Sequence, residues 1–104
     1  MPQWVEVAAA RDCPPGSCIE VIVGEAVVVV ANVEGDFHAM DGICAHQGGP
    51  LAGGRLEGCT LTCPWHGWQY NVRSGQQLLS NSIRQTVYRA RESLGTIQVE
   101  IPDP

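Results

Sequence analysis

Apolar and polar side chains alternate with a period of two through much of the chain, and no run of ten or more residues keeps a helical period. The first seven residues already alternate as a strand. Residues 19–23 and 26–33 are rich in β-branched side chains and meet at Gly24-Glu25, which predicts a hairpin. Residues 27–30 are all valine, as expected of a strand buried on both faces. Glu34-Gly35-Asp36 is a further turn signal, leading into a strand over 37–40. Residues 59–62 read as a strand entering a loop and 69–72 as the strand leaving it. Arg73-Ser74-Gly75 turns the chain again, and 87–91 and 96–100 flank Ser93-Leu94-Gly95 as a last hairpin. The pattern predicts an all-β fold, a small antiparallel sandwich or barrel without internal repeats.

At 104 residues the chain is long enough for one core and too short for two, so 1–104 is expected to form a single domain. The apolar content of 44% suits a globular chain, and 12 Gly with 7 Pro agree with many turns. A net charge of −5 argues against nucleic acid and against anionic membrane surfaces. The charge is uneven: residues 1–52 hold seven acids and one Arg, net −6, while 53–104 hold four acids and five Arg, net +1. The most apolar stretch, 19–33, is interrupted by Glu20, Gly24, Glu25 and Asn32 and is too short to span a bilayer. The start carries no basic, apolar signal segment, so a soluble cytoplasmic protein is expected.

Candidate chemistry sits in two short clusters, Cys44-Ala45-His46 and Cys63-Pro64-Trp65-His66. Each offers one thiolate and one imidazole from turn-forming sequence. Zinc can use such a set as a tetrahedral Cys2His2 site, and a [2Fe–2S] centre can use it with two Cys on one iron and two His on the other. The first cluster continues into Gln47-Gly48-Gly49-Pro50-Leu51-Ala52-Gly53-Gly54, too glycine-rich for a helix or a regular strand. Glycines let backbone N–H groups approach a ligand closely, and bridging sulfides want several such donors. A zinc knuckle needs far fewer.

The pair C-A-H-Q-G-G and C-P-W-H-G-W-Q-Y resembles the Rieske iron–sulfur family. The resemblance implies Cys44, His46, Cys63 and His66 as ligands of a [2Fe–2S] cluster. It places Gly48, Gly49, Gly67, Trp68 and Tyr70 around the cluster, in a cluster-binding subdomain of about 42–72 inserted into an antiparallel β-sandwich or barrel. It also implies that 79–85 forms a third loop over the cluster, although the proline found there in many relatives is absent. The high-potential branch of the family joins its two loops by a disulfide, and those positions here are Gly49 and Trp65. That branch also has a serine donor where this chain has Trp68, while its tyrosine donor is matched by Tyr70. Fewer donors to sulfur favour the oxidised state, so a potential near the low end of the Rieske range, about −150 mV, is expected.

Similar proteins are soluble ferredoxins that carry single electrons from a flavoprotein reductase using NAD(P)H to a terminal oxygenase, without being enzymes themselves. The His66-Gly67-Trp68-Gln69-Tyr70 run is also similar to the Rieske domain of oxygenase large subunits, whose chains continue into a mononuclear-iron domain; a free-standing carrier is expected here. The alternative is a small accessory subunit of a complex like NAD(P)H nitrite reductase.

The remaining candidates point to ordinary roles. Cys13 and Cys18 could close a small disulfide loop, but a cytoplasmic chain favours two inert or exposed thiols. Cys59 alternates with Leu61 and is expected to pack. His38 lies outside both loops and is expected as a solvated strand histidine. Trp4 is expected in the core. Trp65 and Trp68 could shield the cluster or form an apolar docking patch. Arg55, Arg73, Arg84, Arg89 and Arg91 are expected as solvated charges.

Overall fold

The β-branched stretch between 18 and 33 forms the two strands on which the other layers pack. The structure, a computed structural model, describes residues 3–45, 48–65, 67–80 and 82–101. Among the described residues ten strands succeed one another: β1 Gln3–Ala9, β2 Cys18–Val23, β3 Ala26–Val33, β4 Asp36–Asp41, β5 Arg55–Glu57, β6 Thr60–Thr62, β7 Gln69–Asn71, β8 Val87–Tyr88, β9 Ala90–Ser93 and β10 Thr96–Ile101. Short 3₁₀ turns at Ala10–Asp12 and Leu51–Gly53 interrupt them. The fold is all-β, and its strand pairs are antiparallel.

The strands form three sheets, ordered β1-β10-β9, β2-β3-β4-β8 and β5-β6-β7. β3 lies in the middle of the second sheet and works on both faces, as its valine run predicts. Val28 and Val30 point one way and pack with Val21, Val23, Ala39, Ile97 and Val99. Val29, Ala31 and Val33 point the other way, into a second core with Met40, Leu51, Leu61, Tyr70, Val72, Cys44 and Cys63. Each fully buried Val or Leu stabilises the fold by about 1.5–3 kcal/mol, so the double burial of β3 welds the three layers together. β1 lies beside β2 and β9 beside β4, which draws the first two sheets into a sandwich closed at its edges.

The predicted hairpins are present. Val23 pairs with Ala26, Val33 with Asp36, and Ser93 with Thr96. Glu34-Gly35 and Leu94-Gly95 both have positive φ at each turn residue, the backbone that two-residue hairpins of right-twisted strands require. The single strand expected over 87–91 is divided, with β8 pairing with β4 in the second sheet and β9 with β10 in the first. One strand escaped the sequence pattern altogether: β5 comes directly after the glycine-rich stretch and has only three residues. Gly54 is what allows it, because a Cβ there would collide with the Thr62 carbonyl of the neighbouring strand.

Two aromatic and titratable side chains sit elsewhere than expected. Trp4 belongs to neither core. It is half-buried on β1, with the Arg91 guanidinium 3.9 Å and the Arg89 guanidinium 5.8 Å from its ring centroid, so cations cover the ring instead of apolar side chains. His38 is not a solvated strand histidine. It is half-buried, its Nε2 is shut off from solvent without a hydrogen-bond partner, and burial, followed by the nearby Arg73 charge, lowers its pKa. Among the described residues, no helix is long and apolar enough to cross a membrane.

Candidate metal centre

Both ligand loops are delivered by short strands and closed by backbone bonds. The first leaves β4 through buried Gly42, whose N–H donates to the Val27 carbonyl at 2.9 Å. The Cys44 N–H donates to Gly49 at 2.8 Å, the Gly48 N–H donates back to the Cys44 carbonyl at 2.9 Å, and Leu51 N–H closes the loop onto Gly42 at 2.9 Å. The second loop spans the gap between β6 and β7, closed by the Cys63 N–H donating to Trp68 at 2.7 Å. A loop held in this way presents its side chains at fixed positions without a helix or a long strand beneath it.

Between them the loops bring Cys44 and Cys63 together, 3% and 2% exposed, in the core that also holds Leu51, Leu61 and Val72. Burial pushes the Cys63 thiol up, the Trp65 N–H pulls it down, and the adjacent Cys44 thiol raises it again. Two thiols facing each other in a desolvated pocket resist ionisation unless a cation compensates them. The donors for the sulfurs are also in place. The Trp65 N–H donates to Cys63 Sγ at 3.4 Å. The Tyr70 hydroxyl lies 3.3 Å from Cys44 Sγ and accepts the Ala45 N–H at 3.2 Å, so its own proton is available to a thiolate at Cys44.

Gly49 fits the same purpose. It is buried, and a Cβ at this position would stand 3.0 Å from Cys63 Sγ and 3.1 Å from Trp65 Cβ. A side chain here would press on the Cys63 thiol and the Trp65 ring, which would have to give by a few tenths of an ångström. The same proximity places positions 49 and 65 within disulfide reach, yet neither is cysteine, and all five cysteines are free. These residues therefore fit an iron–sulfur group held by buried thiolates: a desolvated thiol pair, hydrogen-bond donors on the sulfurs and a side-chain-free wall.

The expected surroundings divide. Tyr70 and Gly49 stand at the thiols. Trp68 is partly buried against the core, while Trp65 is 50% exposed at the rim. The Gly48 N–H, with φ +74°, is taken up by the Cys44 carbonyl, and Gly67, with φ +73°, is an exposed turn residue. His46 and His66 lie outside the described residues. Cys59 packs against the same core as Leu61. Cys13 is fully buried on the opposite side of β3, its thiol donating weakly to the Val30 carbonyl at 3.7 Å, and Cys18 is half-buried. Burial raises the pKa of both, which makes them unreactive.

Besides Asn32 in β3, two buried amides among the described residues have no counterpart among the candidates read from the sequence. Gln77 and Gln85 are 5% and 4% exposed. Nothing in a polar, proline-free segment marks its glutamines for burial; only the pairing of Gln77 N–H with Ile83 and of Gln85 N–H with Gly75 does.

The Rieske [2Fe-2S] domain family matches residues 3–89, and the chain belongs to this family. Its bound group is accordingly a Rieske-type [2Fe–2S] cluster. The chain is 43% identical over 75 residues to the ferredoxin component of an alkene monooxygenase system from Xanthobacter autotrophicus, covering 71% of this chain and 62% of that one. It is 32% identical to the ferredoxin component of naphthalene 1,2-dioxygenase/salicylate 5-hydroxylase systems from Ralstonia sp, with 72% of each chain covered. The match to the oxygenase component of 3-ketosteroid-9-alpha-monooxygenase from Rhodococcus rhodochrous, 38% identical, spans 65% of this chain and only 18% of that protein. Among solved structures, a chain in the complex of reduced oxygenase and oxidized ferredoxin in carbazole 1,9a-dioxygenase superposes with a TM-score of 0.82. That match is 32% identical and covers 92% and 91% of the two chains.

Proposed function

We propose that this chain is a one-electron carrier, a ferredoxin that takes single electrons from a flavin-dependent NAD(P)H reductase and hands them to a terminal oxygenase in the cytoplasm. The observation that carries this reading is the buried pair Cys44 and Cys63, with the Tyr70 hydroxyl and the Trp65 amide aimed at their sulfurs. Cys44, His46, Cys63 and His66 are the ligands in this reading, within a cluster-binding subdomain of residues 42–72. Bound there, a [2Fe–2S] cluster supplies reversible one-electron redox chemistry.

The protein's own residues set the terms of that exchange. Leu51, Leu61 and Val72 exclude water from the cysteine side, so added negative charge is stabilised only by the fixed donors. Tyr70 holds one such proton at Cys44. Ile43 and Trp65 in the two ligand loops, and Leu78 and Leu79 in the third loop, are exposed apolar side chains. Residues 42–54, 58–72 and 74–83 contain no Asp, Glu, Arg or Lys. An uncharged apolar rim suits brief docking to a partner's redox face. The ferredoxin components among the relatives support an oxygenase system as the setting. Free thiols at Cys13 and Cys18 suit a reducing compartment.

A second reading has one specific observation behind it, the 38% identity to part of an oxygenase component. In this reading the domain passes the same single electrons as part of a larger oxygenase component.

Low-temperature EPR with a redox titration tests the proposal. A rhombic Rieske signal with a midpoint near about −150 mV, constant through neutral pH, is expected. Cys44→Ser or His66→Ala should abolish the signal, and Cys13→Ser or Cys59→Ser should keep it. A colourless protein that binds zinc would overturn the reading, and a midpoint well above zero would overturn its low-potential part.

A further inference from the structure

Gln85 is almost completely buried, and its carboxamide NH2 is fully used. Its Nε2 donates to the Ile43 carbonyl at 2.6 Å and to the Asp41 carbonyl at 3.2 Å, contacts that span 42 and 44 residues of sequence. Both partners are acceptors only, so the NH2 end must face them, and each of its two protons has a carbonyl. The Ile43 carbonyl belongs to the peptide that leads directly into Cys44. The backbone of Gln85 is tied down as well. Its N–H donates to the Gly75 carbonyl at 2.7 Å, and Gly75, with φ +77°, lies so close that a Cβ there would collide with the Gln85 carbonyl.

Segment 75–85 is thus a closed loop with Gln85 at its base. Within it Gln77 N–H donates to Ile83 at 3.0 Å, and Ile83 packs against the core that contains Cys44 and Cys63. One side chain therefore joins the end of β4, the entrance to the first ligand loop and the third loop.

We propose that Gln85 is a positioning residue of the metal centre: its carboxamide clamps the Ile43 peptide to segment 75–85 and so fixes the Cys44 thiolate relative to Cys63. The proposal rests on the electron-carrier reading. Leucine or methionine offers no proton to the two carbonyls, glutamate offers only acceptors, and lysine brings a charge into a desolvated site. Glutamine alone supplies two neutral donors on a stem of this length.

The test compares the holoprotein with Gln85→Met, which keeps length and removes the donors, and with Val99→Ala, which weakens the distant core. Gln85→Met should shift the midpoint potential and the EPR g-values. It should also speed amide exchange in 43–51 and 75–85 by about tenfold, the size of one lost hydrogen bond, while β1 and β10 exchange as before. Gln85→Asn keeps the donors on a shorter stem and should give the same local pattern at smaller amplitude. Val99→Ala should speed exchange throughout and leave signal and potential unchanged. Wild-type potential, signal and local exchange in Gln85→Met would overturn the proposal, as would a response matching that of Val99→Ala. If the wild type itself gives no Rieske signal, the electron-carrier reading fails, and the exchange comparison still decides whether the clamp exists.

Discussion

At Tyr70 one hydroxyl meets both a thiol and a backbone amide, and burial followed by the Cys44 thiol pushes its titration far above the ordinary phenol range. It remains a proton donor at any working pH. A donor to sulfur favours the more electron-rich state, so Tyr70→Phe should lower the midpoint by tens of millivolts, read against about 59 mV per tenfold change in a one-electron equilibrium. A redox titration of the variant checks this, and an unchanged or raised midpoint would contradict the assigned hydrogen bond. His38 makes a different prediction. Its pKa is lowered in the folded protein, so the unfolded chain binds its proton first as pH falls. The stability it contributes is complete above about pH 6.5 and is lost as pH drops through the lowered value. Denaturant unfolding at neutral and mildly acidic pH should reveal that loss, and His38→Leu should reduce it.

At the scale of elements, the small sheet β5-β6-β7 is the platform for the second ligand loop. Leu61 pairs with Leu56 on one side and Tyr70 on the other, and is fully buried in the core that β3 shares. Three-residue strands have too few backbone bonds to stand alone, so this contact holds the platform to the sandwich. Leu61→Ala should destabilise the protein by about 2–5 kcal/mol, with loss of the visible cluster absorbance at the same denaturant concentration as unfolding. Separate transitions would mean that the platform unfolds on its own.

For the whole molecule, charge and docking are separated. The net charge of −5 is carried outside the two candidate ligand loops and the third loop, whose residues 42–54, 58–72 and 74–83 have no acidic or basic side chain other than the two histidines. Charges screened over about 8 Å at physiological salt contribute little across such a rim. Electron transfer to the proposed oxygenase partner should therefore change little between about 0.05 and 0.5 M salt. Trp65→Ala, which removes the half-exposed ring at the rim, should slow it by about tenfold, as loss of an interface aromatic does. Stopped-flow rates at several salt concentrations test both statements, and a steep salt dependence would place the docking face elsewhere.

The strands of the sandwich were legible in the chain itself, because alternation and β-branching act locally: the hairpins at 24–25, 34–35 and 94–95 are written in neighbouring residues. So was the metal chemistry, since thiolate and imidazole spacing within each loop is a short-range property. Features that depend on contacts distant in sequence were not. Trp4 was expected in a core and is instead covered by Arg91 from another strand, and His38 was expected in solvent and is instead enclosed. β5 needed the Thr62 backbone beside Gly54, and the burial of Gln85 needed carbonyls more than forty residues away. The sequence by itself determined most of the strand pattern, the candidate donor types and the charge-free loops. Only the tertiary structure decided which sulfurs receive hydrogen bonds and which amide holds the first loop, because those bonds exist only once distant segments share one desolvated core.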